Sequence, residues 1–353
     1  MRATDNLHVV DAVPLVSPEA LRTDLPMSTT ANETVANARD AIANIICGED
    51  SRRLVVVGPC SIHDVVAARE YAQFLAPLAH ELRDSLVILM RVYFEKPRTT
   101  IGWKGLVNDP HLDGSYDMPT GLRMARSLLL ELADMGLPAA TEILDPITPQ
   151  YFAELISWAA VGARTTESQT HREMASGLSM PIGFKNSTDG SLQAAVNAMQ
   201  SARQPHRFLG INQWGQVSVI HTTGNRHTHV VLRGSESGPN YSSEHLTGVR
   251  AMLETAGYPP QVMVDCSHGN SEKDYLRQPQ VLNDVCQQIS DGESMIMGAM
   301  IESNLVAGKQ AFPQAVTDLR YGQSITDACV DLPTTETMLR QLAQTVATQP
   351  SPA

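Results

Sequence analysis

The chain has 353 residues, of which 42% are hydrophobic, and its formal net charge is −12 at pH 7. This length and apolar content support a large core, organised as one big α/β domain or two smaller ones. The acidic balance argues against nucleic acid or an anionic membrane as partner. No apolar run has the length of a membrane helix, and the first residues lack the apolar core of a secretory signal. Five scattered cysteines, an odd number, favour a reducing cytoplasmic location over a disulfide scaffold.

Residues 1–45 are predicted to form an N-terminal extension. Ser17 followed by Pro18 is typical of a helix start, because proline is tolerated in the first helical turn. A second helix is indicated by Thr30 and Glu33, which have the spacing of a capping box, and its predicted end is Gly48.

After the extension, short β-branched runs alternate with segments of helical period, which predicts βα units on a parallel sheet. Eight apolar runs each have a charged or metal-capable residue at or just beyond their carboxyl end. They are RLVVVGPC (53–60), LVILMRV (86–92), PAATE (138–142), VGAR (161–164), PIGFK (181–185), HVVLR (229–233), QVMVDCSH (261–268) and SMIMGAMIE (294–302). Active sites of (β/α)8 barrels lie on that face. We therefore predict an α/β fold, a (β/α)8 TIM barrel, over residues 46–348, with a tail at 349–353.

One further segment does not fit the alternation. Residues 208–231 alternate apolar and polar side chains at period two, with turn signals at Trp214-Gly215 and Gly224-Asn225. This pattern predicts an antiparallel β-hairpin inserted into the barrel. The run FLGI (208–211) is alternatively the sixth barrel strand, and the sequence does not decide between these two assignments.

Four residues, three at predicted strand ends and one in SITDAC (324–329), offer sulfur, nitrogen and oxygen donors for a metal: Cys60, His268, Glu302 and Asp327. Thiolate and imidazole favour zinc, iron, copper or cobalt, and the carboxylates keep manganese possible. Such a site suits a Lewis acid that polarises a carbonyl. Their sequence spacing gives no support, however. The alternative is that Cys60 is a small buried residue and that His268 caps a helix.

Six cations also lie at or just past strand ends: Arg91, Lys96, Arg98, Arg164, Lys185 and Arg233. That is more than ion pairing with Glu142 or Glu95 requires, and guanidinium and ammonium groups hold carboxylates and phosphates. The KPRTT loop (96–100) combines cations with hydroxyls, which indicates an anion cradle rather than a solvated basic loop. No P-loop or dinucleotide-binding motif is present. We therefore expect small, multiply anionic, phosphorylated substrates.

Eight motifs in this order resemble class I 3-deoxy-D-arabino-heptulosonate 7-phosphate (DAHP) synthase. They are GPCSIHD (58–64), RVYFEKPRTTIGWKGL (91–106), GARTTESQ (162–169), GFKN (183–186), LRG (232–234), DCSHGNS (265–271), MIESN (300–304) and SITDAC (324–329). The resemblance spans residues 28–345 and is greatest to the short, feedback-regulated bacterial branch. It implies metal-dependent condensation of phosphoenolpyruvate with D-erythrose 4-phosphate and water, giving DAHP and phosphate. This is the first step of the shikimate pathway to aromatic amino acids.

The resemblance also assigns roles to residues. It implies that Mn²⁺, Fe²⁺, Co²⁺ or Zn²⁺ is held by Cys60, His268, Glu302 and Asp327. It implies that phosphoenolpyruvate contacts Arg91, Lys96, Arg164, Lys185 and Arg233, and that erythrose 4-phosphate contacts Arg98, Thr99 and Asp327. For catalysis, beside Cys60 and His268, either Glu142 positions a water or Lys185 transfers a proton, and the sequence leaves both open.

Regulation is implied in the same way. An aromatic amino acid would bind at Pro149, Gln150, Ser179 and Gly210, together with the N-terminal arm of a neighbouring subunit in a homodimer or homotetramer. In the family, glycine at the position of Gly210 goes with tyrosine and serine with phenylalanine. Glycine leaves room for a phenol hydroxyl, so we expect tyrosine as inhibitor, with tryptophan second.

Three rival functions agree less well with the sequence. A synthase acting on another aldehyde is disfavoured by the KPRTT loop, and a metal-dependent aldolase would not release phosphate. A non-catalytic amino-acid sensor should have lost a metal ligand or a substrate cation, and none is missing from the sequence.

Overall fold

The computed structural model describes residues 2–349, whose central feature is a closed barrel of parallel strands. Of the predicted tail 349–353, only Gln349 lies within the described residues. The strands are β1 (Arg53–Gly58), β2 (Leu86–Arg91), β3 (Ala139–Glu142), β4 (Trp158–Val161), β5 (Ile182–Lys185), β6 (Arg207–Ile211), β7 (Val217–His221), β8 (Thr228–Leu232), β9 (Val262–Asp265), β10 (Ile296–Glu302), β11 (Val306–Lys309) and β12 (Gln323–Ser324). The barrel closes in the order β1-β10-β9-β8-β5-β4-β3-β2. The predicted (β/α)8 TIM barrel is thus confirmed.

Helices surround the barrel, and most of them begin with a side-chain cap. Asp64 accepts hydrogen bonds from the backbone amides of Val66 and Ala67, which stabilises the start of the third helix. Short 3-10 turns lie at Ala153–Leu155, Tyr275–Arg277 and Val316–Asp318. The α-helices are α1 (Pro18–Asp24), α2 (Thr29–Cys47), α3 (Val65–Glu81), α4 (Met118–Asp134), α5 (Pro149–Phe152), α6 (Gln169–Ala175), α7 (Leu192–Ala202), α8 (Ser243–Thr255), α9 (Gln278–Ser290) and α10 (Leu332–Ala347).

The barrel strands are apolar on both faces because both faces are covered. In β1, Leu54 and Val56 belong to the core inside the barrel, whereas Val55 and Val57 pack in the core between strands and helices. Burial of each such side chain contributes about 1.5–3 kcal/mol relative to leaving it in water. This two-sided burial explains why the strands are continuous apolar runs.

The fourth barrel strand lies upstream of its predicted position. The run VGAR was expected to be the strand, but β4 ends at Val161. The backbone amides of Thr165 and Thr166 both donate to the carbonyl of Gly162, so a turn begins there and carries Arg164. Arg164 therefore sits beyond the strand end rather than within the strand.

The inserted hairpin is present and consists of β6 and β7, which pair only with each other. FLGI belongs to this hairpin and is not the sixth barrel strand. The hairpin strands end at His221, whereas the predicted segment ran to 231. Its last residues, from Thr228 onward, form barrel strand β8 between β5 and β9.

The N-terminal extension packs on the barrel through two helices. Ser17 caps α1 as expected, and Gly48 ends α2 in a left-handed conformation with φ 78°. The cap of α2 is Ser28, however, two residues before the predicted Thr30. Ile42, Ile45 and Ile46 of α2 (29–47) join the core inside the barrel, so this helix closes the amino-terminal mouth. No helix within residues 2–349 is both long and apolar enough to cross a bilayer.

Candidate active site

A cavity of about 390 Å³ opens at the carboxyl ends of the barrel strands. A larger one, of about 790 Å³, is lined mainly by α2 and α3 and contains none of the predicted site residues. Cys60 and Glu302 are fully buried and contact residues of the smaller cavity, whereas Thr99 is exposed and does not line it. The smaller cavity brings together most of the predicted site residues: Arg91, Lys96, Arg98, Glu142, Arg164, Lys185, Arg233, His268 and Asp327.

Three of the predicted metal ligands form a compact cluster. The ligand atoms of Cys60, Glu302 and Asp327 all lie within 4.8 Å of one another. They come from the ends of β1 and β10 and from the segment after β12, so only the barrel closure makes them neighbours. Burial raises the pKa of the Cys60 thiol to about 12, and the carboxylate of Glu302 adds to this shift. One thiol and two carboxylates are donors that a divalent transition metal accepts.

His268 stands at the edge of this cluster. Its Nε2 is 4.0 Å from Oε1 of Glu302, and its Nδ1 is 3.0 Å from Oδ2 of Asp265. The Nδ1 contact lacks hydrogen-bond geometry, so this buried nitrogen has no hydrogen-bond partner within residues 2–349. The residue has φ 54°, an uncommon conformation for a side chain other than glycine. Nε2 is the nitrogen nearer the cluster, so it is the atom that could serve as a fourth ligand.

Two buried cations contact the metal cluster directly. The Arg91 guanidinium donates to Oε1 of Glu302 at 2.8 Å, and both side chains are fully buried. The Lys96 ammonium lies 3.2 Å from Sγ of Cys60. Arg91 also stacks on Tyr93, with its guanidinium carbon 3.5 Å from the ring centroid. These cations and the predicted metal ligands thus share one buried network, so an anion held by the cations would lie next to the cluster of Cys60, Glu302 and Asp327.

Lys185 has a partner that the sequence prediction missed. Its ammonium donates to Oδ2 of Asp265 at 3.0 Å, and both residues are buried. Burial opposes ionisation of Asp265, but its contacts with His268 and the Lys185 ammonium outweigh burial and hold the pKa of Asp265 well below its ordinary range. Asp265 ends its strand like the predicted residues, so the strand-end pattern contained this signal. Ser267, also missed, donates to Oε2 of Glu302 at 2.8 Å.

The carboxylate of Glu142 occupies space that is left free by Gly162 on the neighbouring strand end. A Cβ built at Gly162 would lie 2.2 Å from Oε1 of Glu142, so only glycine leaves space for this carboxylate. Glu142 is buried and has no side-chain hydrogen bond within the described part of the chain. Its oxygens are therefore available to a ligand or a water in the cavity.

The basic loop after β2 forms part of the rim. The Arg98 guanidinium donates to the carbonyl of Trp103 at 2.7 Å, and the amide of Lys96 donates to the carbonyl of Lys104 at 2.8 Å. These two bonds fold the loop back on itself. Lys96 and Arg98 line the cavity while Thr99 and Thr100 remain exposed, so the loop offers two cations to a ligand.

The four predicted inhibitor residues lie away from this cavity, and α1 connects the segment of two of them to the hairpin that carries Gly210. The Arg22 side chain of α1 donates to the carbonyl of Gln150 at 2.7 Å, beside the buried Pro149. The amide of Glu19 donates to Gln213 at the hairpin turn. Ser179 is exposed and Gly210 is half-buried in β6. Within residues 2–349 no hydrogen bond joins any two of the four.

Comparison with known proteins gives a consistent result. The model of the DAHP synthetase I family matches residues 25–340. The chain is 56% identical over 342 residues to a Tyr-sensitive phospho-2-dehydro-3-deoxyheptonate aldolase of Escherichia coli (strain K12), covering 97% of this chain and 96% of the relative. A Phe-sensitive counterpart from the same strain is 54% identical, with 97% of both chains covered.

A solved structure agrees in fold. The phospho-2-dehydro-3-deoxyheptonate aldolase of Francisella tularensis SCHU S4 superimposes with a TM-score of 0.95 at 54% sequence identity. The match covers 97% of this chain and 100% of the other. Barrel, hairpin and extension therefore correspond to a known arrangement over nearly the full length.

Proposed function

The chain belongs to the DAHP synthetase I family, and from this premise we propose that it condenses phosphoenolpyruvate with D-erythrose 4-phosphate. Water is the third reactant, and the products are DAHP and inorganic phosphate. The observation that carries the proposal is the convergence of cations and metal ligands on one cavity of about 390 Å³. Two phosphorylated substrates and a polarised carbonyl need this combination.

Phosphoenolpyruvate is proposed to bind the cations that follow β2, β4, β5 and β8. Its carboxylate and phosphate accept bidentate hydrogen bonds from guanidinium groups and point-charge contacts from lysines. Arg91 is fixed by Glu302 and Lys185 by Asp265, so these two cations are held in place before substrate arrives. The proposed set is Arg91, Lys96, Arg164, Lys185 and Arg233.

The metal is proposed to bind Cys60, His268, Glu302 and Asp327. The compact donor cluster of Cys60, Glu302 and Asp327 supports this set, and Nε2 of His268 lies 4.0 Å from Oε1 of Glu302. A bound divalent ion, Mn²⁺, Fe²⁺, Co²⁺ or Zn²⁺, would act as a Lewis acid on the aldehyde carbonyl. Erythrose 4-phosphate is proposed to extend from there toward Arg98 and Thr99, with Asp327 near its hydroxyls.

The protein's own groups then organise the bond changes. The new carbon–carbon bond forms between C3 of phosphoenolpyruvate and the aldehyde carbon, and water adds to C2 before the C2–O bond to phosphate breaks. We assign the placement of that water to Glu142, because its carboxylate is buried at the cavity without a protein partner. Lys185, held by Asp265, donates a proton to the former aldehyde oxygen as it becomes a hydroxyl, and the proton released by the adding water balances this transfer. The arginines stabilise the departing phosphate.

Feedback inhibition by tyrosine is the proposed regulation. The similar proteins include both Tyr-sensitive and Phe-sensitive enzymes at nearly equal identity, so overall identity does not separate the two inhibitors. The choice of tyrosine depends on Gly210, together with a pocket at Pro149, Gln150 and Ser179. We propose that the arm of a neighbouring subunit completes this pocket in a homodimer or homotetramer.

A cytoplasmic location remains our proposal, and it is based on the five cysteines, all of which are free.

The substrate assignment is tested by supplying phosphoenolpyruvate with different aldehydes and following its loss by ultraviolet absorbance. We expect rapid consumption with erythrose 4-phosphate and little with the five-carbon arabinose 5-phosphate. Mass spectrometry of the product should give a seven-carbon sugar-acid phosphate. Faster consumption with arabinose 5-phosphate would reject the assignment of the aldehyde while leaving the class of reaction intact.

A further inference from the structure

The lysines of this chain are concentrated at the cavity. Only five lysines occur among the 26 lysine and arginine residues, so arginine supplies nearly all the remaining positive charge. Four of the five, Lys96, Lys185, Lys273 and Lys309, line the 390 Å³ cavity. Lys273 and Lys309 have no part in the proposed reaction. Positively charged surface residues elsewhere in this chain are nearly all arginines. Two lysines at the rim of one cavity therefore suggest a specific function for them.

Lys309 is held by a small sheet across the barrel mouth. It ends β11, where it is the register partner of Ser324 in β12. The amide of Gly308 donates to the carbonyl of Cys329 at 2.8 Å. Strand β12 leads directly to Asp327, so the backbone of Lys309 is fixed relative to that residue. A rigid backbone is what a ligand-binding side chain needs in order to be positioned.

Lys273 is carried by a loop with an unusual backbone. Glu272 and Lys273 have φ of 54° and 63°, in the left-handed region where side chains other than glycine are uncommon. The amide of Lys273 donates to the carbonyl of His268 at 2.7 Å, which ties the loop to the metal cluster. Strained backbone of this kind persists where the surrounding structure specifies it, often at ligand sites.

Neither ammonium is neutralised by the protein. Within residues 2–349, Lys273 and Lys309 have no carboxylate partner at ion-pair distance, and the neighbouring Glu272 is paired with Arg277 instead. Eight lysine and arginine side chains line the cavity, against the carboxylates of Glu142 and Asp327. The two rim lysines therefore present uncompensated positive charge to whatever enters.

The barrel order indicates which substrate they face. Strands β2, β3, β4, β5 and β8 are contiguous, and all of them except β3 lead to residues assigned to phosphoenolpyruvate. The contiguous strands β9, β10 and β1 lead to the metal ligands His268, Glu302 and Cys60. Lys273 follows β9 and Lys309 follows β10. The two lysines thus lie on the side of the barrel mouth formed by β9, β10 and β1, which we call the metal half. The aldehyde end of erythrose 4-phosphate must lie on this side.

We propose that Lys273 and Lys309 are further substrate-binding residues that hold the phosphate group of the phosphorylated aldehyde, together with Arg98. The proposal rests on the proposed function, because it assumes an aldehyde whose carbonyl lies at the metal cluster. Arg98 follows β2, which is next to β1, so the three cations flank the metal half of the cavity. A phosphate dianion accepts several charge-assisted hydrogen bonds, and one arginine alone satisfies few of them.

The test is the double variant Lys273→Gln/Lys309→Gln of the full chain, assayed with each substrate varied in turn. We expect KM for erythrose 4-phosphate to rise roughly tenfold, with KM for phosphoenolpyruvate unchanged within about twofold. Rates with D-erythrose, which lacks the phosphate, should not change. Lys273→Arg/Lys309→Arg keeps both charges and should stay close to wild type in KM.

Arg226→Gln is the matched control, since it removes one exposed charge at the amino end of β8, on the opposite face. A rise in KM for phosphoenolpyruvate alone, or an equal loss with erythrose and its phosphate, would overturn the proposal. Unchanged kinetics in an active, folded double variant would do so as well. If the wild-type enzyme consumes neither substrate, the proposed function fails first, and the rim assignment fails with it.

Discussion

The position of the Glu142 carboxylate depends on the absence of a side chain at Gly162. This carboxylate occupies the space that such a side chain would fill. We predict that Gly162→Ala lowers kcat roughly tenfold, because the added methyl pushes the carboxylate away from the site where it holds water. The obstructing atom is the end of a flexible side chain, so the fold should survive, and a thermal melt will check this.

Gly248→Ala provides the matched control for that substitution. Gly248 lies in α8, where a Cβ added to it would have no atom within 4 Å, far from the strand ends that form the cavity. The activity of this variant should equal that of wild type. Equal kcat values for Gly162→Ala and wild type would remove Glu142 from the catalytic scheme.

Glu95 is a buried acid whose ionisation couples stability to pH. Burial raises the pKa of Glu95 from the ordinary value of 4.5 to about 8; Asp145 adds to the shift, and a hydrogen bond from Thr148 opposes it. Between these two values the folded state holds a proton that the unfolded state has released. The contribution of Glu95 to stability is therefore complete below 4.5 and is lost as pH rises through 8.

The variant Glu95→Gln mimics the protonated acid and keeps an oxygen that accepts from Thr148. We predict that its free energy of unfolding exceeds that of wild type by about 1–3 kcal/mol at pH 9, and that the difference shrinks toward pH 6. Urea unfolding at the two pH values measures this. Glu254→Gln, on an exposed position of α8, controls for the substitution. A difference that does not depend on pH would contradict the assignment.

At the scale of elements, the hairpin of β6 and β7 carries the proposed inhibitor selectivity. A Cβ at Gly210 would lie 2.8 Å from Cγ1 of Ile220 on the partner strand, so serine there requires a small shift of that side chain. We predict that Gly210→Ser weakens inhibition by tyrosine at least severalfold and strengthens inhibition by phenylalanine. Inhibition curves for both amino acids measure the change, with uninhibited kcat as the internal control. A wild-type enzyme inhibited most strongly by phenylalanine would refute the choice of tyrosine.

The sequence predicted well those strands and helix ends that are determined by neighbouring residues in the chain. Apolar runs buried on both faces identified the barrel strands, and Ser17 and Gly48 marked helix ends through their own backbone chemistry. The errors also had local causes. Strand β4 was placed too late, because it occupies Trp158–Val161 and ends before the turn at Gly162 that carries Arg164. Ser28 caps α2 because its hydroxyl accepts a hydrogen bond from the amide of Ala31. Thr30 and Glu33 have the spacing of a capping box, but they lie inside the helix.

At the scale of the whole molecule, the site depends on barrel closure. Cys60 and Asp327 are 267 positions apart in the sequence, yet their ligand atoms and that of Glu302 lie within 4.8 Å of one another. The strand-end pattern predicted most of the residues that line the cavity, because parallel strands present their carboxyl ends together. It did not predict pairs such as Lys185 with Asp265, or the rim lysines on β11 and the β9 loop. Those depend on how loops fold over the mouth, which periodicity does not encode.

The most direct test of the central claim is phosphate release by purified, chelator-treated protein supplied with phosphoenolpyruvate and erythrose 4-phosphate, with and without Mn²⁺. We predict release only when both substrates and the metal are present, and none from Cys60→Ala under the same conditions. Release without the second substrate, or no release in the complete mixture, would contradict the proposed condensation.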